Sequence, residues 1–198
     1  MIILTPPTTK RFVSSTWGRP RAYRGGWHEG LDFPAAINSP VLAAAPGEVI
    51  KVDNVDNSFA GKYIVLHHGG GIHTRYLHNN ANLVKVGDSV ARGQVIAKAG
   101  ATGTSGKGAP HVHFDMKLKP EAHAQYEALY GRPTTGWGRT MGSLGKGVPA
   151  ETFMSGATYA PAALKWAQDV GVTFYSGGSL LKVAAVLGAS YLGYRILK

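Results

Sequence analysis

His111-Val112-His113-Phe114-Asp115-Met116 is the stretch on which the reading of this chain turns. Side chains alternate along a strand, so His111 and His113 face one side while Val112 faces the other. Two imidazoles on one face, about 7 Å apart along the strand, can serve one site together. An isolated HxH also arises by chance, and the surrounding sequence has to decide its meaning.

Working back towards the N-terminus, the chain from Pro40 to Met116 is a series of short β-rich runs punctuated by glycine. Residues 41–43, 48–52, 63–67, 72–77, 94–99 and 111–116 are the strand candidates, and Gly69-Gly70-Gly71 between two of them is a hairpin signal. This spacing predicts a mainly β fold, an antiparallel β-sandwich or half-barrel. Residues 1–26 are basic and turn-rich, and they are expected to form a separate N-terminal segment. The core domain is expected over 27–156, with an insertion at about 117–147 that holds a short helix at 121–130 and a surface loop after it. A second helix is expected at 162–170, just after Pro161.

Beyond 156 a C-terminal helical region is expected. From Val170 to Tyr194 the only charged residue is Lys182. Ala184, Gly188, Ala189 and Gly193 place small residues at helical spacing. Read as a helix from Leu180 to Leu197, the tail is about 27 Å long. That makes residues 179–198 an expected contact with a membrane or with a virion protein. Residues 1–7 contain only Ile2-Ile3-Leu4 as an apolar run before Thr5 and two prolines, so no cleavable secretory signal is expected.

Composition narrows the chemistry. Of 198 residues, 44% are hydrophobic and 16% charged, which suits a packed domain rather than a disordered chain. There is no cysteine, so any metal must rest on His, Asp or Glu. The net charge of +10 favours polyanionic surroundings. No nucleic-acid motif accompanies it, and no specific nucleic-acid partner is expected.

His28-Glu29-Gly30-Leu31-Asp32 supplies a second pair of metal-capable residues. Gly30 lets the backbone turn, so a His and a carboxylate four apart can converge without a helix. One carboxylate and two imidazoles form the mixed N/O set that suits zinc, and three protein ligands leave a position open for catalysis. The bland alternative has His28 capping a loop and Asp32 pairing with a nearby Arg. In Tyr76-Leu77-His78 the outer two residues should share a strand face. His67, His68, His73 and His123 read as ordinary hydrogen-bonded histidines.

Order and context then join these pieces. Ser15-Thr16-Trp17-Gly18-Arg19-Pro20, His28-Glu29-Gly30-Leu31-Asp32-Phe33, the hairpin from Pro40 to Val49, Tyr76-Leu77-His78, Val86 to Gln94, Gly100-Ala101-Thr102-Gly103 and Pro110-His111-Val112-His113-Phe114 follow one another over about a hundred residues. In that order they resemble the lysostaphin-like (LytM-type) zinc endopeptidases, which cleave peptide cross-links in bacterial peptidoglycan. The resemblance implies one Zn2+ per chain held by His28, Asp32 and His113. It implies His111 as the general base that takes a proton from the attacking water, and His78 as the residue that orients that water or stabilises the oxyanion. It also makes 100–109 a wall of the substrate cleft, with peptidoglycan peptide as the partner. The family's closing segment is expected at 148–153, displaced by the insertion.

Two other readings stand beside this one. A non-catalytic relative would bind peptidoglycan or activate another hydrolase, but such relatives lose site residues and all five are present here. A biotinyl- or lipoyl-type carrier shares the glycine-punctuated repeat of Val86 to Gln94 and lacks the histidine set. The expected setting is the virion of a bacteriophage, possibly its membrane, where the enzyme acts as a lysin during entry, or else the bacterial cell envelope.

Overall fold

The computed structural model describes residues 2–21, 26–120 and 122–123, then 146–148, 150, 154, 158–159, 174–176 and 179–181. Those residues contain sixteen short strands. They are β1 (Phe12–Val13), β2 (Pro20–Arg21), β3 (Gly26–Trp27), β4 (Leu31–Pro34), β5 (Pro40–Leu42), β6 (Gly47–Asp53), β7 (Lys62–His67) and β8 (Ile72–Asn79). They continue with β9 (Ala81–Asn82), β10 (Ser89–Val90), β11 (Val95–Lys98), β12 (His111–Leu118), β13 (Lys146–Val148), β14 (Thr158–Tyr159), β15 (Phe174–Ser176) and β16 (Ser179–Leu181). The six strands expected between 41 and 116 are all present.

The principal sheet runs β10-β6-β7-β8-β12-β13, with β4 added beside β12, and its pairings are antiparallel. A second antiparallel sheet runs β5-β11-β9. The turn from β7 to β8 is the expected triple glycine. Gly69, Gly70 and Gly71 take φ of 82°, 55° and 74°, a region that L side chains avoid.

Strand β12 explains why this sequence builds a site on a core. Val112, Phe114, Met116 and Leu118 are buried on one face. Phe114 packs edge-on to Tyr76, with ring centroids 5.3 Å apart, and to Phe33 at 6.5 Å. Burying such aromatic and aliphatic side chains stabilises the fold by about 1.5–3 kcal/mol each. The alternate residues, His111, His113, Asp115 and Lys117, form a polar row on the opposite face.

The N-terminal residues pack into the same body. Leu4 and Val13 are fully buried in the core, and the Ser14 amide donates to the Asp32 carbonyl at 2.9 Å. The Asp32 amide in turn donates to the Ser15 carbonyl at 2.9 Å. Beyond β12, the amides of Ala122 and His123 donate to the Lys119 carbonyl at 2.9 and 3.1 Å, the start of the expected helix. The rest of that helix, the loop expected at 131–147 up to residue 145 and the helix at 162–170 lie outside the described residues, while 146 and 147 are not loop but part of β13. Strand β13 pairs Val148 with Met116.

One expectation needs correction at the C-terminal end. Leu180 and Leu181 were expected to begin a helix, yet they lie in β16, paired with Tyr175 and Phe174 of β15. The aromatic residues Phe174 and Tyr175 opposite them suit a strand. Residues 182–198 lie outside the described part. Among the described residues, no helix is long and apolar enough to cross a membrane.

Candidate metal centre and active site

The site forms where β4, β12 and the end of β8 meet. Asp32 of β4 is the direct cross-strand partner of His113 of β12, which on its other side is paired with Leu77 of β8. Directly opposed residues bring their side chains together, so the register delivers a carboxylate beside an imidazole. His113 Nδ1 lies 3.0 Å from Asp32 Oδ1. The third group comes from the loop before β4, where the His28 amide donates to the Arg19 carbonyl at 2.8 Å.

His28 is oriented from behind. Its Nδ1 donates to the Thr16 carbonyl at 2.8 Å, which turns Nε2 towards the site. Nε2 then sits 2.9 Å from Asp32 Oδ1 and 3.0 Å from His113 Nδ1. One ligand atom from each of His28, Asp32 and His113 lies within 4.8 Å of the others, the convergence that a single ion needs. Burial alone would raise the Asp32 pKa, but the His28 charge and hydrogen bonds from His113 and His28 hold it well below the ordinary carboxylate range. An anion between two imidazoles is a donor set that fits zinc.

His111 and His78 flank this centre. As the strand alternation predicted, His111 shares the His113 face, with Nε2 3.8 Å from Asp32 Oδ1. Its Nδ1 donates to the Ala109 carbonyl at 2.9 Å. The His78 ring lies 4.9 Å from that of His111 and 6.0 Å from that of His113. His78 Nδ1 donates to the Thr102 carbonyl at 2.9 Å. Burial, then the charges of His113 and His111, push the His78 pKa down to about 3, so its ring is neutral.

His78 is also the place where simple alternation fails. Tyr76 and His78 were expected on one face, but Tyr76 points into the core, where its hydroxyl accepts from the Ala44 amide at 2.8 Å. The pairing of β7 with β8 shifts register between Lys62 and Ile64, and His78 has φ of 66°. A bulge with a left-handed residue re-aims one side chain, and here it turns His78 out of the core and into the site.

Gly30 is a second correction. It does not adopt a left-handed turn; what it provides is space. A Cβ there would come 2.8 Å from His113 Nε2 and 2.9 Å from Asp115 Cβ, and would collide with the Phe114 carbonyl. The close approach of β12 to this loop therefore requires glycine.

The wall expected at 100–109 stands beside His78. Thr102 Oγ1 accepts from the Lys62 amide at 3.0 Å and donates to the Asn79 carbonyl at 2.8 Å. The Gly103 amide donates to Asp56. Sequence reading missed a further polar group behind His113. Arg75 and Asp115 are cross-strand partners and form a buried ion pair, and Lys117 Nζ lies 2.9 Å from Glu29 Oε2. The signal was available, since every second residue from His111 to Lys117 is polar, but such a pattern normally means a solvated face.

Together the antiparallel sheets and the His-Asp-His centre define a zinc metallopeptidase class of site. The chain belongs to peptidase family M23, whose sequence model matches residues 26–125. It is 44% identical over 92 residues to the peptidoglycan DD-endopeptidase ShyB of Vibrio cholerae, covering 46% of this chain and 21% of that protein. It is 33% identical over 135 residues to lysostaphin of Staphylococcus simulans, covering 60% of this chain and 27% of lysostaphin. A crystal structure of a zinc-containing peptidase from Vibrio cholerae aligns with a TM-score of 0.53 and 37% identity, over 59% of this chain and 37% of that one. The chain thus spans between a fifth and about a quarter of the length of these two curated relatives. Zinc is the cofactor that the family and the donor set agree on.

Proposed function

We propose that this protein is a zinc-dependent endopeptidase that hydrolyses the peptide cross-links of bacterial peptidoglycan. The observation that carries the reading is the convergence of His28, Asp32 and His113 within 4.8 Å, with two further imidazoles beside them. His28 Nε2, Asp32 Oδ1 and His113 Nδ1 are the atoms that would hold the ion. Zinc bound there supplies a Lewis acid, which polarises a peptide carbonyl and makes water acidic enough to be deprotonated near neutral pH.

The remaining work falls to side chains. His111 keeps its Nδ1 proton on the Ala109 carbonyl, so Nε2 is the atom that accepts a proton from the attacking water. His78 likewise holds its proton at Nδ1, on Thr102, and offers a lone pair at Nε2. A neutral ring in that tautomer accepts hydrogen bonds, which supports a role in orienting the water over one in donating to an oxyanion. Residues 100–109, beside His78, would form a wall of the cleft that takes the peptide. Ser105 Oγ is 3.5 Å from His78 Nε2.

The finer setting, a virion-associated lysin acting during phage entry, rests on the apolar composition of 179–198. The domain limits, 27–156 with a C-terminal region after them, rest on the change of composition at each end. Incubating the protein with purified sacculi, with and without a chelator, tests the central claim. Zinc-dependent release of cross-link peptides, abolished in His113→Ala, is expected. Protein that binds sacculi without cleaving them would instead establish the non-catalytic alternative.

A further inference from the structure

We propose that Asp115 is a positioning residue that fixes the His113 ring so that Nδ1 faces the metal, with Arg75 locking Asp115 in place. The inference rests on His28, Asp32 and His113 being the metal ligands. Asp115 lies two residues after His113 on β12, on the same face. Its Oδ2 is 3.5 Å from His113 Nε2, while Asp32 Oδ1 is 3.0 Å from Nδ1 of the same ring. The two ring nitrogens therefore face different carboxylates, one in the site and one behind it.

The space around Nε2 is closed by the fold. Gly30 approaches so nearly that a Cβ on it would be 2.8 Å from this nitrogen, so the loop before β4 crowds that side of the ring. Asp115 is fully buried. A buried carboxylate stays ionised only with a partner, and Arg75 provides one. Arg75 Nε donates to Oδ1 at 2.8 Å and to Oδ2 at 3.1 Å, and Nη2 makes a further close contact with Oδ2. The opposition of the two residues across β8 and β12 is set by strand register. Lys117, also fully buried, continues the polar row and is itself neutralised by Glu29. An anion at Nε2 keeps the ring proton there, leaves the Nδ1 lone pair for the metal and makes the ring a more basic ligand.

Zinc affinity of the full chain, read by competition with a chromophoric chelator, tests this. Asp115→Asn is expected to bind zinc about 10–100-fold more weakly than wild type, and Asp115→Glu to recover part of the loss. Because the single change strands Arg75, the double variant Arg75→Leu with Asp115→Leu is measured as well, and the same weakening is expected. Wild-type affinity in that folded double variant would overturn the proposal. A second readout needs no variant: 15N shifts of the His113 ring in zinc-loaded wild type should place the proton on Nε2, and a proton on Nδ1 would overturn it. Wild-type protein that takes up no zinc, or takes it up equally well after His28→Ala, would remove the metal-site reading and this inference together. Unchanged zinc binding in the Asp115 variants alone removes only this inference.

Discussion

Asp32 and His113 stand directly opposite one another across β4 and β12, with Oδ1 and Nδ1 3.0 Å apart. Two of the three metal-binding groups are thus delivered by hydrogen-bonded sheet register rather than by a loop. A slip of one residue would send His113 to the core face and Val112 to the site. Only His28 depends on a loop, and it is tethered from behind by Thr16.

Asp32→Asn should therefore spare the fold and cripple the metal centre. The amide keeps the shape of the side chain but loses the charge between the two imidazoles. Zinc affinity is expected to fall by more than about 100-fold, beyond the loss typical of an outer partner. Metal content after dialysis, measured by atomic emission, checks this; a full equivalent of retained zinc would exclude Asp32 as a ligand.

His111→Ala makes a contrasting case. Its Nε2 is 3.8 Å from Asp32 Oδ1, close to the centre but outside the converging triad. The variant should keep its zinc while kcat on cross-linked peptide falls by about 10²–10⁴-fold, the usual worth of a general base. Loss of zinc together with activity would place His111 among the ligands instead.

Gly30→Ala should be damaging in spite of its small size. The added methyl group meets His113 Nε2 and Asp115 Cβ inside 3 Å, and the Phe114 backbone cannot yield easily. A destabilisation of about 1–3 kcal/mol is expected from this overpacking, together with weaker zinc binding. Urea unfolding of the chelator-treated protein isolates the first effect from the second. An unchanged midpoint would show that the loop accommodates a side chain.

Acid sensitivity offers a test away from the metal. Burial holds the His68 pKa below the ordinary 6.5. Its Nδ1 donates to the Pro46 carbonyl at 2.7 Å, and its Nε2 lies 2.7 Å from Thr74 Oγ1. The unfolded chain then binds a proton more readily than the folded one, so this contribution is complete above 6.5 and is lost as pH falls below that value. His68→Gln should unfold with a shallower dependence on pH between 7 and 5 than wild type. Parallel pH curves for the two proteins would show that His68 does not contribute.

How much of this was legible beforehand follows from the kind of signal each residue gives. The period-2 alternation of β12 placed His111 and His113 on one face, and the glycine triplet marked the β7–β8 turn, because both are local rules. His78 defeated the same rule, since a bulge and a left-handed φ of 66° depend on pairing with β7, which a single strand does not announce. Gly30 was recognised as necessary for the wrong reason. Its need is tertiary space, and that appears only when β12 is packed against it. The Arg75–Asp115 and Lys117–Glu29 pairs were passed over because alternating charge on a strand normally faces water. Strand β4 was missed because four residues that follow Gly30 and end in Pro34 give too short a pattern to stand out.

The tether between Thr16 and His28 carries a practical consequence. The residues matched by the family begin at 26, yet the carbonyl that selects the His28 tautomer belongs to Thr16, and Ser14 and Ser15 zip along Asp32. A catalytic fragment trimmed to the matched stretch would keep every ligand and still leave His28 free to offer either nitrogen. Domain swaps and shortened enzymes built from this chain should be cut ahead of Leu4, whose side chain is already in the core.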